Sequence, residues 1–168
     1  MNTDDAVIVA LGGNLALEGQ AVQAVLELAA GRLAAAGLTP VRRSGWWRSA
    51  AWPDPAEPAF LNAVAWVETA LEPQAVLKAL LGIETAFGRR RSVPNAPRTL
   101  DLDLIAYGRR IIDEPDLVLP HPRAAERLFV MGPLAEIAPD WRHPVTGKTA
   151  GELAATATVG TDAAPFEA

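Results

Sequence analysis

Apolar residues come along this chain in short blocks, and their spacing alternates between strand-like and helical. Ala6–Leu11 is an apolar run ended by Gly12-Gly13-Asn14, which predicts a buried strand running into a tight turn. From Gln20 to Ala36, Val22, Val25, Leu26, Ala29 and Leu33 recur at helical spacing, with Gly37 as the cap. Val41–Arg48 reads as a second strand and Phe60–Thr69 as a third. Between them, Ser49–Ala59 holds Pro53, Pro55 and Pro58, which exclude regular structure and predict an ordered but displaceable loop. Pro73 suits the first turn of a helix running to Phe87, closed by Gly88. Arg89–Pro97 is a second irregular segment, this one basic. Arg98–Tyr107 is the clearest strand. Gly108 turns it into another strand-like piece, Ile111–Leu119, and Pro122 opens a last helical region through Ala138. The acidic, Ala-rich end from residue 154 to 168 reads as a flexible, frayed tail, which leaves 1–153 as one folded domain.

The predicted order is strand, helix, two strands, helix, two strands, helix. Strand pairs between helices imply hairpins and a largely antiparallel sheet with helices packed on one face, an α+β layer fold. The length, 168 residues with half of them hydrophobic, supports a single domain with a sizeable core and excludes global disorder.

Charge and cysteine content narrow the chemistry. A net charge of −5 argues against a general nucleic-acid binder. The absence of cysteine excludes a disulfide scaffold, a thiol nucleophile and cysteine-ligated metal, and fits a reducing cytoplasm. The start, Met-Asn-Thr-Asp-Asp, lacks the features of a signal peptide, and no apolar run reaches the roughly 18 residues of a membrane span. A membrane role is not expected.

The sharpest chemical signal is Leu100-Asp101-Leu102-Asp103-Leu104. In a strand, alternate side chains share a face, so the leucines face the core and both carboxylates face outward together. Their spacing of roughly 6.6–7 Å along the strand suits divalent ions held about 3.5–4 Å apart. Hard carboxylate oxygens suit Mg²⁺, which commonly also binds substrate phosphates. An ordinary half-buried strand with a solvated acidic face gives the same pattern. The flanks sharpen the choice: Arg89, Arg90, Arg91 and Arg98 precede the aspartates across a proline-broken segment. Cations beside a carboxylate pair make sense if a polyphosphate lies between them, although a solvated basic loop balancing nearby acids is the plainer alternative.

Other candidates are weaker. His121, in Pro120-His121-Pro122 with Arg123 and Arg127, could contact phosphate or simply cap a helix. Phe60-Leu61-Asn62 follows the proline-rich loop, where an aromatic can stack on a flat heterocycle and an amide can read its edge; a core role for Phe60 is the alternative. Trp46 and Trp47 read as packing residues, and His143 as structural. Glu84 is a solvated charge or a partner for an arginine. Gly147-Lys148-Thr149 resembles the end of a P-loop, but Arg142 stands where the glycine is required. No G-x-G-x-x-G, G-x-S-x-G or H-E-x-x-H motif occurs.

Pro97-Arg98-Thr99-Leu100-Asp101-Leu102-Asp103 is a highly specific match, and through it the chain resembles the 6-hydroxymethyl-7,8-dihydropterin pyrophosphokinases of folate biosynthesis. Leu11-Gly12-Gly13-Asn14-Leu15, Phe60-Leu61-Asn62-Ala63, Gly88-Arg89-Arg90-Arg91, Leu119-Pro120-His121-Pro122-Arg123 and Pro133–Pro139 extend the match over about residues 6–153. The resemblance implies a ferredoxin-like α+β fold and a cytoplasmic monomer with two small-molecule substrates, ATP and 6-hydroxymethyl-7,8-dihydropterin. It implies transfer of pyrophosphate from ATP to the pterin hydroxymethyl group, with release of AMP. By the same match Asp101 and Asp103 hold two Mg²⁺ ions. Arg89, Arg91 and Arg98 clamp the phosphates, with Arg98 close to the transferring group, while His121 and Arg127 contact ATP and Glu84 supports the nucleotide side. Phe60 and Phe129 sandwich the pterin, Asn62 bonds its edge, and Ser49 and Trp52 line the first loop. Departures from the family pattern include Gly13 for the usual Ser, Ser49-Ala50-Ala51 for Thr-Pro-Pro, and Asn95-Ala96 where some members carry Trp-Gly. Two rivals stay open at this point: a nucleotidyltransferase that also uses D-x-D, and a non-catalytic binder of the same fold.

Overall fold

A computed structural model describes residues 2–14, 21–50, 56, 59–88 and 100–166. Its elements begin with β1 (Val7–Gly13), α1 (Val22–Ala30), β2 (Thr39–Arg43), β3 (Trp47–Ser49), β4 (Phe60–Glu68), α2 (Pro73–Ala86) and β5 (Asp101–Tyr107). They continue with β6 (Ile112–Glu114), β7 (Leu117–Leu119), α3 (Leu128–Ile137), α4 (Ala150–Thr156) and β8 (Ala164–Pro165). The main sheet runs β5-β1-β4-β3-β8, with β2 also on β4, and all of its pairings are antiparallel. With β2 and β3 counted as one broken strand, the first seven elements make the βαββαβ order and sheet arrangement of a ferredoxin-like fold.

The break between β2 and β3 corrects the single strand expected over Val41–Arg48. Buried Ser44 bridges it, because its N–H donates to the Val64 carbonyl and its Oγ accepts the Val64 N–H, both at 2.9 Å. Likewise the strand expected over Ile111–Leu119 folds back on itself at Pro115-Asp116 into the β6–β7 hairpin, separate from the main sheet. The long helix expected over Gln20–Ala36 stops at Ala30, and Ala34–Ala36 form a 3₁₀ turn before Gly37.

Helices cover both faces of the sheet, not one. Val9, Leu11, Ala63, Ala65, Leu102 and Leu104 face Leu26 and Ala29 of α1 and Val76 and Leu80 of α2. Ile8, Val64, Trp66 and Ile105 face Met131 and Leu134 of α3 and Leu153 of α4. Strands buried on both sides read as continuous apolar runs, so the sequence pattern could not show the second layer.

The end of the chain, expected to fray after 153, completes α4 and then supplies β8, which pairs Ala164 with Arg48 and Pro165 with Trp47. Edge β3 offers backbone groups that the returning chain satisfies. Among the described residues no helix is long and apolar enough to cross a membrane.

Candidate active site

Strand register builds the site. The turn expected at Gly12-Gly13 is strand instead, and Gly12 pairs with Asn62 of β4 on one side and Asp101 of β5 on the other. Trp47 of β3 pairs with Asn62, so Trp47, Asn62, Gly12 and Asp101 form one row across four strands. At about 4.8 Å per strand, Asn62 and Asp101 stand roughly 10 Å apart. The Asn62 amide oxygen occupies the space a Cβ on Gly12 would need, so only glycine leaves room for it. One step along β5, Asp103 pairs with Ala10. Residues at i and i+2 share a face, so Asp101 and Asp103 project together on the α3 side of the sheet while Leu100, Leu102 and Leu104 enter the α1–α2 core. Both carboxylates are half-buried.

Glu84, only 2% exposed, approaches from the opposite face. Its Oε2 accepts the Leu102 N–H at 2.8 Å, between the two aspartates. β5 ends the main sheet, and this carboxylate takes a backbone donor that no strand takes. Glu84 is thus a brace for β5, placed behind the outward face on which the aspartates sit.

The chain leaving β7 docks on the same edge. His121 N–H donates to the Ile105 carbonyl at 2.8 Å, which anchors the imidazole beside β5. His121 Nδ1 accepts the Arg123 N–H at 3.2 Å, and the neutral ring therefore carries its proton on Nε2. Burial, and then the neighbouring Arg127 guanidinium, hold His121 below its ordinary pKa, while Asp101 pulls the other way. A neutral His121 at pH 7 can donate through Nε2 without adding charge.

Arg127 stands at the N-cap position of α3 without a side-chain capping bond, and its guanidinium lies over the Phe129 ring at 5.6 Å. Phe129 and, across the sheet, Phe60 are both half-exposed. Phe60 pairs with Ser49, which is 6% exposed. Trp47 is held by α3: its ring lies against Gly132 and its Nε1–H donates to Glu136 at 3.1 Å.

The structure thus brings Asp101, Asp103, His121 and Arg127 to one end of the sheet, with Asn62, Phe60 and Ser49 across from them. Trp52, Arg89, Arg91 and Arg98 lie outside the described residues. Among the described residues no group of three or more His, Asp or Glu side chains forms a metal cage, so the aspartates stand as a pair. Sequence reasoning missed Gly12 as a site residue because a Gly-Gly pair after an apolar run reads as a turn. It also missed the Arg123 N–H, a backbone donor without a side-chain signature. His143 is structural as expected, its Nδ1 accepting the Val145 and Thr146 N–H groups at 3.2 and 3.3 Å.

Comparison with known proteins adds an independent line. A family model described as 7,8-dihydro-6-hydroxymethylpterin-pyrophosphokinase (HPPK) matches residues 8–139. A 2-amino-4-hydroxy-6-hydroxymethyldihydropteridine pyrophosphokinase of Synechocystis is 44% identical over 147 residues, covering 87% of this chain and 73% of its own length. The protein of the same name from Pseudomonas aeruginosa is 41% identical over 161 residues, covering 96% and 93%. Among solved structures, a Plasmodium falciparum HPPK-DHPS chain superposes with a TM-score of 0.67 over 89% of this chain at 13% identity, a likeness of fold. This chain spans only 43% of that longer one.

Proposed function

This chain belongs to the 7,8-dihydro-6-hydroxymethylpterin-pyrophosphokinase family, and on that premise we propose that it transfers the β,γ-pyrophosphoryl group of ATP to 6-hydroxymethyl-7,8-dihydropterin, releasing AMP, in folate biosynthesis. The observation that carries the reading is the shared row and face of Asn62, Gly12 and Asp101, with Asp103 one step on. An amide suited to the rim of a flat heterocycle stands two strands from a carboxylate pair suited to phosphate-bound cations. Gly12 places no side chain of its own between them.

Mg²⁺ fits this pair. Both donors are hard oxygens, both are half-buried, and the neighbouring strand offers only Gly12 and the Ala10 methyl on that face. Asp101 and Asp103 would hold the metal, two ions by the family pattern, and bound Mg²⁺ would offset the charge of the triphosphate.

The remaining roles fall to the chain's own groups. Phosphoryl transfer asks the protein for in-line positioning and charge stabilisation more than for covalent help. Arg89, Arg91 and Arg98 would grip the phosphates with bidentate guanidinium forks, Arg98 nearest the transferring group. His121 would donate Nε2–H to a phosphate oxygen, with Arg127 beside it. Phe60 and Phe129 would stack on the two faces of the pterin, Asn62 would bond its rim, and Ser49 and Trp52 would line its side of the pocket. Glu84 would serve the nucleotide side indirectly, by fixing β5. The catalytic domain is proposed to take in residues 1–153 together with the returning chain through β8, and to act as a cytoplasmic monomer.

Incubating the purified chain with ATP, Mg²⁺ and reduced hydroxymethylpterin tests this reading. AMP and pterin diphosphate should form in equal amounts. Release of inorganic pyrophosphate would mean nucleotidyl transfer instead, and pterin binding without AMP formation would mean a binding protein. Either result overturns the proposal.

A further inference from the structure

The chain beyond α4 returns to the site. Thr158 and Val159 donate to the Glu126 carbonyl at 3.0 and 2.9 Å, and the Leu128 N–H donates to the Val159 carbonyl at 2.9 Å. These bonds bracket Arg127 at the start of α3. Next comes Gly160, with φ +66°, and a Cβ there would fall on the Phe129 ring. Asp162 Oδ2 then accepts the Ala50 N–H at 2.7 Å, at the exit of β3 beside Ser49. β8 follows along β3, and the Phe166 N–H closes onto the Trp46 carbonyl at 2.8 Å.

This strap buries little of itself: within 158–166 only Ala163 is buried. Its contacts nevertheless fall at two walls of the proposed pterin subsite: Gly160 lies against the Phe129 ring on α3, and Asp162 bonds the Ser49–Ala50 end of β3, where Ser49 pairs with Phe60. We infer that the Thr158–Phe166 strap is a positioning element of the pterin subsite, Gly160 setting the Phe129 ring and Asp162 setting the Ser49–Ala50 wall. The inference rests on the functional reading above. Physically, stacking needs two ring faces held at a fixed gap, and binding weakens when either wall must be ordered at the moment of association. A carboxylate accepting a backbone N–H is a strong, charge-assisted tether. Glycine at +66° both permits the local turn and leaves the ring its space.

The test measures binding of 6-hydroxymethylpterin, the fluorescent oxidised form of the proposed acceptor, with Mg²⁺ and a non-hydrolysable ATP analogue present. Affinity for the ATP analogue is measured separately. Asp162→Ala removes the tether from an exposed position and should weaken pterin binding about tenfold. KM for the pterin should rise with it, while kcat and ATP-analogue affinity stay near those of the unmutated chain. Asp162→Asn keeps an acceptor oxygen and should restore binding to within about twofold. Gly160→Ala should cost more than Asp162→Ala. Unchanged pterin binding in Asp162→Ala would overturn the inference. So would equal losses of pterin and ATP-analogue affinity with a lowered Tm, the mark of a merely structural role. Failure of the unmutated chain to bind the pterin would instead overturn the functional reading, and the inference with it, before any variant is compared.

Discussion

The two ends of the sheet make an instructive pair. At the end where β1 starts, Asn2, Asp4, Val7, Glu68, Tyr107 and Arg109 are among the residues lining a cavity of about 730 Å³. Both of its arginines are held in ion pairs: Arg109 with Asp4 at 3.6 Å, and Arg110 with Glu72, outside the lining, at 2.8 Å while lying over the Tyr107 ring. At the other end Asp101, Asp103, His121 and Arg127 converge on one face. Their backbones are fixed from outside the pocket by Glu84, the Ile105 carbonyl and the strap. Volume does not make a site. What separates the ends is that at one acceptors and donors meet on a common face, braced from behind, and at the other the cations are held in exposed ion pairs at the rim.

The largest expected effect sharpens that contrast. Asp101→Ala and Asp103→Ala should each lower kcat on the order of 10²-fold or more. Circular dichroism should stay native, because both side chains leave the core. Near-normal turnover in either variant, measured by AMP release, would erase the distinction between the ends. Next in size, Phe60→Ala and Phe129→Ala should each weaken pterin binding by about 1–3 kcal/mol, on the scale of base–aromatic stacking. Nucleotide affinity should barely move. If titration showed ATP affinity falling as much as pterin affinity, the rings would be packing residues and not a sandwich.

Legibility in the sequence followed the same division. β4 and α2 were plain from pattern and from Pro73, and the outward pairing of Asp101 with Asp103 followed from strand alternation alone. The second helical layer was not, because Ile8, Val64 and Ile105 are buried behind strands whose other face is buried too, and alternation vanishes. β8 spans two residues and exists through its partner β3, so no local pattern announces it. α4 did have a signal: Thr149-Ala150-Gly151-Glu152 has the sequence of a capping box, and the Thr149 hydroxyl accepts the Glu152 N–H at 3.1 Å. Its Thr149 also ends the Gly147-Lys148-Thr149 run that resembles a P-loop, so one residue carries two competing local signals. Within the site, side chains with distinctive chemistry were readable. The space left by Gly12, the backbone donor at Arg123 and the tether at Asp162 depend on register and return of the chain, which short-range patterns do not encode.

Two smaller effects probe the comparison from the other side. Burial holds His143 below its ordinary pKa, away from the carboxylate pair. Its stability contribution is therefore full above about pH 6.5 and is lost as pH falls towards the depressed value, since the unfolded chain takes up the proton first. Tm followed from pH 7.5 to 5 should fall less steeply in His143→Gln, with kcat/KM unaltered at pH 7.5. A loss of activity there would mean the site extends further than its described walls. Smallest of all, Arg109→Ala and Arg110→Ala should leave kcat/KM unchanged, because these exposed ion pairs line the inert end. A marked loss in steady-state assays would make that cavity functional.

The most direct test is a crystal structure of the chain with Mg²⁺, a non-hydrolysable ATP analogue and 6-hydroxymethylpterin. The account predicts the triphosphate over Asp101 and Asp103, metal on both carboxylates, and the pterin between Phe60 and Phe129 with its rim on Asn62. Nucleotide seated instead in the cavity beside Val7, Glu68 and Tyr107, with the aspartates empty, would contradict it.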